Sequence, residues 1–295
     1  MLKRTLYIAN PYYLHFKNKQ MILDPQEGES RSVPIEDIGF LVLEHPQISI
    51  TMPLISALNA NNVAVVFCNE KHMPNAMLLN LDGNNLQSEY FRHQINASVP
   101  LKKNLWKQTI EAKISNQAAL LGKLGQNNGD LLALAKEVKS DDSSNREGHA
   151  ARLYWPRLFG EFFIRERFGC HPNPMLNYGY ILLRSAVARS LAGSGMLATL
   201  GIHHHNKYNA FCLADDIMEP YRPYVDELVV KLDQKYDFVD NLEKEHKMDL
   251  LQILTCDVMI GNNKRPLMVA LSQTTASLAR CFNGESKKMV YPKFE

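Results

Sequence analysis

The chain has 295 residues, 45% of them hydrophobic and 22% charged, with a net charge of +2. This is an ordinary globular balance, enough for one large domain or two smaller ones, and the total charge alone does not announce nucleic acid. No apolar run approaches a bilayer span, and five widely spaced cysteines make no disulfide framework; reduced, mostly buried thiols are expected.

The start, MLKRTLYIANPYY, lacks the long apolar core and small-residue cleavage site of a leader, so a soluble cytoplasmic protein is expected. Leu6 to Ala9 reads as a strand, and Tyr13 to Leu23 as a hairpin broken at Lys17-Asn18-Lys19. Gly39 to Leu43 and Val63 to Cys68 are further strands, and Pro53 to Ala60 a short helix with Pro at its start. Strands at this spacing suggest a small sandwich. Asn69 to Asn85 is polar and reads as a linker, with one short strand through Met77 to Leu81.

From there the pattern turns helical. Leu101 to Leu124 places Leu105, Ile110, Ile114 and Leu121 at helical spacing. Gly148 to Arg167 is predicted to bury Leu153, Leu158 and Phe162, with Pro156 kinking or breaking it. Asn177 to Met196, Pro223 to Leu232 and Met248 to Ile260 read as helices, and Pro266 opens a last one through Phe282. The fold class expected is α+β, a small N-terminal β-sandwich followed by a larger all-α domain. The division is 1–75 sandwich, 76–100 linker and first helix, and 101–295 helical.

Charge is unevenly spread. Residues 1–100 carry 7 Lys and Arg against 9 Asp and Glu, residues 146–207 carry 8 against 3, and residues 213–257 carry 5 against 12. Seven of the eight in the basic stretch are arginines, which make planar bidentate contacts to phosphate. A basic stretch between acidic ones suits a site that grips a polyanion and holds metal, although helix-surface ion pairing is the plainer use of such arginines.

The segment Gly201 to Pro223, GIHHHNKYNAFCLADDIMEPYRP, packs three histidines with two aspartates and a glutamate. Imidazole and carboxylate together hold divalent cations, and a carboxylate-rich set favours magnesium or manganese over zinc. The bland alternative is a polar loop followed by the solvated face of one helical turn. Asp215 lies four residues before Glu219, which a helix would put on one face, while Pro220 disfavours helical geometry at Glu219. Ser144-x-x-Glu147 reads equally as a capping box.

Gly201-x-x-His204, Asn206, Asn209, Phe211, Leu213, Asp216 and the run Met218-Glu219-Pro220-Tyr221-Arg222-Pro223 resemble the signature of the CRISPR-associated adaptation integrases, the "Cas one" family, in its type II branch. Glu147-Gly148-His149-Ala150-Ala151-Arg152, then Tyr154-Trp155 and Leu158-Phe159-Gly160, resemble that family's first catalytic motif. Val33 to Ile38 and Asn62 to Cys68 look like its N-terminal strands.

The resemblance implies a metal-dependent DNA endonuclease and integrase of spacer acquisition. Its magnesium or manganese ligands fall on Glu147, His204 and Glu219, the Gly-x-x-His register selecting His204 over His203 and His205. Arg146, Arg152, Tyr154, Lys207, Asp215, Asp216 and Arg222 become candidates for DNA contact or for support of the ligands. Tyr12, Tyr13 and His15 offer rings that could stack on a duplex end.

It also implies double-stranded DNA as substrate, a homodimer, and a heterohexamer with the small second adaptation protein. The RNA-guided effector nuclease and a ring-shaped accessory DNA-binding protein are further expected partners, and no membrane is. The competing readings are a metal-dependent nuclease on branched DNA or RNA without integration, and a non-catalytic DNA-binding assembly subunit.

Overall fold

The computed structural model describes residues 4–80 and 84–295. Two compact units divide between residues 81 and 82.

In the first unit, β1 (Arg4–Ile8), β5 (Ile38–Leu43), β7 (Ala64–Cys68) and β8 (Pro74–Leu78) form one sheet in the order β1-β5-β7-β8, parallel except for the last pair. β5 is central and buried almost throughout, so it is a continuous apolar run rather than an alternating one. The second sheet has the order β4-β3-β2-β6, from β2 (Tyr12–Lys17), β3 (Gln20–Pro25), β4 (Arg31–Pro34) and β6 (Ser49–Ile50). The β2–β3 hairpin turns at Asn18 and Lys19, both at positive φ. Leu14 and Met21, from opposite strands of that hairpin, meet Leu41 of β5 and Leu54 and Leu58 of α1 (Met52–Ala60) in one buried cluster. That shared core makes the sheets a sandwich.

The expected linker from Asn69 is corrected by β8, which pairs with β7 and stays inside the first unit. Its apolar-polar run is short, and only the waiting edge of β7 makes it a strand. Leu81, the last residue of the strand expected there, lies outside the described residues.

The second unit is mainly helical: α2 (Gln87–Ile95), α3 (Val99–Lys123), α4 (Gly129–Lys136), α5 (Arg146–Phe159), α6 (Asn173–Gly193), α7 (Cys212–Met218), α8 (Arg222–Asp233) and α9 (Lys244–Leu250). Two short strands follow, β9 (Asp257–Ile260) and β10 (Asn263–Pro266), then α10 (Leu267–Phe282) and β11 (Pro292–Lys293). α3 starts where the Ser98 hydroxyl accepts from the Leu101 N–H, and it buries Leu105, Trp106, Ile110, Ile114 and Leu121. It packs against α4, α5, α8 and the turn between α7 and α8. No helix among the described residues is long and apolar enough to cross a membrane.

Other expectations are corrected in this unit. The helix from Gly148 stops at Phe159 instead of Arg167, because Gly160 takes a φ of 95°. Phe162, expected in the core, is 98% exposed on the loop beyond. The helix predicted over Met248 to Ile260 tightens to a 3-10 helix over Leu251–Thr255 and ends there. Asp257–Ile260 instead becomes the middle strand of a β10-β9-β11 sheet, which the all-α reading of this part did not include. The five cysteines are free; Cys212 and Cys281 are buried, Cys68 and Cys256 half-buried and Cys170 exposed, so the expectation of mostly buried thiols is met only in part.

Candidate metal centre

Four separate pieces of the second unit bring the chemical residues together. Glu147 sits in the first turn of α5. Asn145 caps that helix from a left-handed conformation, φ 49° and ψ 48°, its side chain accepting from Gly148 N at 3.2 Å. The capping box expected from Ser144 therefore does not form, and the Ser144 hydroxyl has no hydrogen-bond partner. Asp142, which the sequence reading passed over, accepts from Arg146 N at 2.8 Å and Glu147 N at 3.0 Å. Its carboxylate satisfies the opening N–H groups of the helix and leaves the Glu147 carboxylate free of that task.

Glu219 opens a single 3-10 turn, Glu219–Tyr221, wedged between α7 and α8. Pro220 does not keep Glu219 from helical angles, φ −52° and ψ −47°. The chain changes helix there instead of extending α7. Asn116 of α3 pins the turn from behind, its amide donating to Pro220 O at 2.7 Å and to Pro292 O at 3.0 Å.

Between the two glutamates lies Lys113 of α3. Its Nζ is 2.5 Å from Glu147 Oε1 and 2.6 Å from Glu219 Oε2. Burial opposes the lysine's charge, but the carboxylates of Glu219 and Glu147 outweigh it and hold the ammonium more firmly protonated than usual. Burial likewise disfavours the charge of Glu219; Arg222 and Lys113 reverse this and hold its carboxyl down at about 2. Arg222 Nε donates to Glu219 Oε1 at 2.8 Å, while its guanidinium stacks over the Tyr180 ring at 4.5 Å.

His204 lies on the loop between α6 and α7, held by Asp216. This fully buried carboxylate takes Ile202 N at 2.7 Å and His203 N at 3.0 Å on Oδ2, and His204 N at 3.2 Å and His204 Nδ1 at 2.6 Å on Oδ1. Such a bond fixes the ring with Nε2 as the free nitrogen, the usual arrangement behind a metal-binding histidine. The hydrogen bond to Asp216 raises the His204 pKa against the opposing effect of burial. The charges of Asp216, Glu219 and Glu147 add to the lift. The loop closes so tightly that a Cβ on Gly201 would meet His204 O at 2.1 Å, which accounts for glycine opening the Gly-x-x-His run. Trp106 of α3 stacks on His203 with ring centres 4.2 Å apart and meets His204 edge-on at 5.6 Å. His205 is exposed.

The other candidates divide. Tyr154 is fully buried, its hydroxyl donating to Asp226 at 2.7 Å, so it ties α5 to α8 and offers no exposed ring. Asp226 also accepts from Tyr180. Its carboxyl is pushed up to about 6 by burial, which the two tyrosine bonds and the charges of Arg222 and Arg165 only partly offset. Arg222 forms its ion pair with Glu219, three residues before it. Asp215 is occupied by Arg184 at 2.6 Å and Asn209 at 2.7 Å. Arg146 reaches Glu137 at 3.0 Å, and Arg157 grips Asp130 with both terminal nitrogens. Arg152 is exposed, and Lys207 is exposed over the Tyr208 ring. Much of the basic stretch is therefore neutralised by neighbours. Among the described residues, Arg152, Arg165 and Arg167 make their hydrogen bonds and ring contacts to uncharged groups, although the charge of Arg165 also acts on Asp226.

Among the described residues no three His, Cys, Asp or Glu side chains close into a ready-made metal cage. The donor set nonetheless fits magnesium or manganese. It offers two carboxylates facing one ammonium, an imidazole with its far nitrogen fixed, and Glu219 Oε2 buried with no properly directed hydrogen bond.

Residues 6–249 match the family model described as CRISPR associated protein Cas1. The chain belongs to the Cas1 family. It is 36% identical over 282 residues to a CRISPR-associated endonuclease Cas1 of Neisseria meningitidis serogroup C (strain 8013), covering 94% of this chain and 91% of that one. Among solved structures, a casposase bound to integration product superposes with a TM-score of 0.80 at 20% identity, covering 98% of this chain and 92% of that one. A chain of a Cas6-RT-Cas1–Cas2 complex gives a TM-score of 0.73 at 18% identity, with 99% of this chain matching 36% of that longer one. At these identities the structural neighbours speak for the fold.

Proposed function

We propose that this Cas1 protein is a metal-dependent DNA endonuclease and integrase of CRISPR adaptation. It joins short double-stranded DNA fragments to the array by attack of a DNA 3′-hydroxyl on a repeat phosphodiester. The observation that carries the reading is the pair Glu147 and Glu219 meeting across one ammonium, beside a histidine whose Nδ1 is tied to buried Asp216.

A magnesium or manganese ion held by Glu147, His204 and Glu219 would polarise a phosphoryl oxygen and offset the charge that grows in the transition state. The chain's own residues prepare for this. Arg222 keeps Glu219 ionised and aimed. Asp216 turns the His204 ring so that Nε2 points away from the loop backbone. Asp142 fixes the α5 start so that Glu147 leaves it at one angle. The incoming hydroxyl is itself the nucleophile, so no serine or cysteine is assigned. Arg152, Arg165, Arg167 and Lys207 would hold phosphates without reading bases.

In this reading two copies pair through residues 1–75. Two such dimers flank a dimer of the small second adaptation protein, a partnership that the name of the Cas1–Cas2 neighbour supports. The RNA-guided effector nuclease and a ring-shaped accessory DNA-binding protein join the complex in the cytoplasm.

The test is strand transfer of a labelled duplex into a repeat-bearing target, in manganese or magnesium buffer. Glu147→Ala, His204→Ala and Glu219→Ala should each abolish transfer while duplex binding persists. Transfer retained in all three variants refutes the metal centre. Nicking without joined product would favour a nuclease that does not integrate.

A further inference from the structure

Lys113 has no place in the scheme above, yet it is the cation that contacts both glutamates of the site. It lies mid-way along α3, on the face that also carries Trp106, Ile110 and Gln117 at helical spacing, where a solvent-facing lysine would not sit. Its side chain is 12% exposed, and its ammonium contacts one oxygen of each glutamate. The other Glu219 oxygen belongs to Arg222. Counted as charges, Glu147 and Glu219 balance Lys113 and Arg222, so the cluster is neutral by itself.

A divalent ion shared by the two glutamates needs carboxylate oxygens at about 2.1 Å. An ammonium within hydrogen-bonding distance of Glu147 Oε1 and Glu219 Oε2 occupies the space such an ion would take. The two cations exclude one another. Without either, two carboxylates, one of them buried, would face each other unscreened.

We propose that Lys113 is a built-in counter-cation. It holds Glu147 and Glu219 together in the metal-free protein, competes with the divalent ion for the same oxygens, and swings out on its flexible stem when the ion binds. Metal affinity is thereby kept low, and metal uptake is coupled to release of a lysine amine beside the site. This rests on the metal-centre reading given above. It makes Lys113 a positioning residue in the metal-free state and a regulator of loading.

The experiment uses manganese alone and the full chain. Binding is followed by the loss of the free manganese EPR signal in wild type, Lys113→Met and Glu219→Gln. Acetylation of individual lysines by a limiting amine reagent is followed by mass spectrometry in wild type with and without manganese. Lys113→Met should bind manganese at least tenfold more tightly than wild type and melt at a lower temperature without it. In wild type, manganese should raise acetylation of Lys113 severalfold and leave that of exposed Lys231 unchanged. If Lys113→Met does not fold, the wild-type labelling decides alone.

Suppose manganese binds wild type, is lost in Glu219→Gln, and neither loosens Lys113 nor binds more tightly to Lys113→Met. The counter-cation is then overturned and the metal centre stands. If neither wild type nor Lys113→Met binds manganese, the metal centre falls and takes this proposal with it.

Discussion

Asp216→Asn changes one atom of a buried side chain and should cost far more than its size suggests. The carboxylate accepts four hydrogen bonds, three from successive peptide N–H groups and one from the His204 ring. Asparagine keeps one acceptor oxygen. If that oxygen stays with Ile202 and His203, the new amide group turns its donors toward His204 N and Nδ1. The peptide N–H then faces another donor in a fully buried place, and the remaining bonds lose their charge assistance.

One orphaned buried donor costs about 1–3 kcal/mol, and the weakened bonds bring the total to about 2–4 kcal/mol. The ring can accept from the amide only through Nδ1, which forces the proton onto Nε2 and blocks the nitrogen proposed above as a metal ligand. The pH dependence has a definite sign. His204 has a raised pKa in the folded protein, so its contribution is complete below 6.5 and fades as pH rises through the raised value. The gap between wild type and Asp216→Asn should therefore be wider at pH 6 than at pH 9. Urea unfolding at both pH values measures the gap, and nitrogen chemical shifts of His204 report the tautomer. A loss below 0.5 kcal/mol, or an unchanged tautomer, would show that Asp216 does not hold this loop as described.

Asp226→Asn should behave in the opposite way. The wild-type carboxyl titrates near 6 when folded against 3.8 unfolded, so ionising it costs stability as pH rises from 3.8 through 6, about 3 kcal/mol in all. Thermal melts should show the variant gaining on wild type by about 2 kcal/mol between pH 4 and pH 8; a constant difference would refute the burial argument. Asn145→Ala loses both the cap and tolerance of the left-handed conformation, and chemical denaturation should show a loss of about 1–2 kcal/mol, with Asn145→Gly losing much less. Replacing Arg152, Arg165 and Arg167 together with serine should flatten the salt dependence of duplex binding by a log–log slope of about 2 to 3. Arg157→Ser, which removes a guanidinium already committed to Asp130, should leave that slope unchanged. An equal effect from both would place the DNA surface elsewhere.

Much of the fold was legible because its signals are local. The β2–β3 hairpin follows from apolar alternation around Asn18 and Lys19, α3 from the spacing of Leu105, Ile110 and Ile114, and α10 from the proline before it. Glu147, His204 and Glu219 were marked by motif register; the structure joins Glu147 and Glu219 through Lys113, and the charges of both act on His204. The errors came where a distant segment or a single backbone angle decides. Asp257–Ile260 has a pattern that serves helix or strand, and pairing with Asn263–Pro266 and Pro292–Lys293 makes it a strand. Gly160 ends α5 through a positive φ, and Phe162 is left in solvent.

The sequence by itself determined the family, most of the helices and the first unit's main strands, and it singled out two acidic groups and one imidazole as candidates, since these depend on residue type and near spacing. Only the tertiary structure decided what charges and holds them. Lys113 lies 34 residues from Glu147, Asp226 lies 72 from Tyr154, and Asn116 lies 104 from Pro220. Local periodicity carries no information about pairs so far apart. A lysine in an apolar stripe hints at a buried partner, but only packing α3 against α5 and the Glu219 turn names it. Electrostatic energy depends on distances through space, and the folded chain alone fixes those.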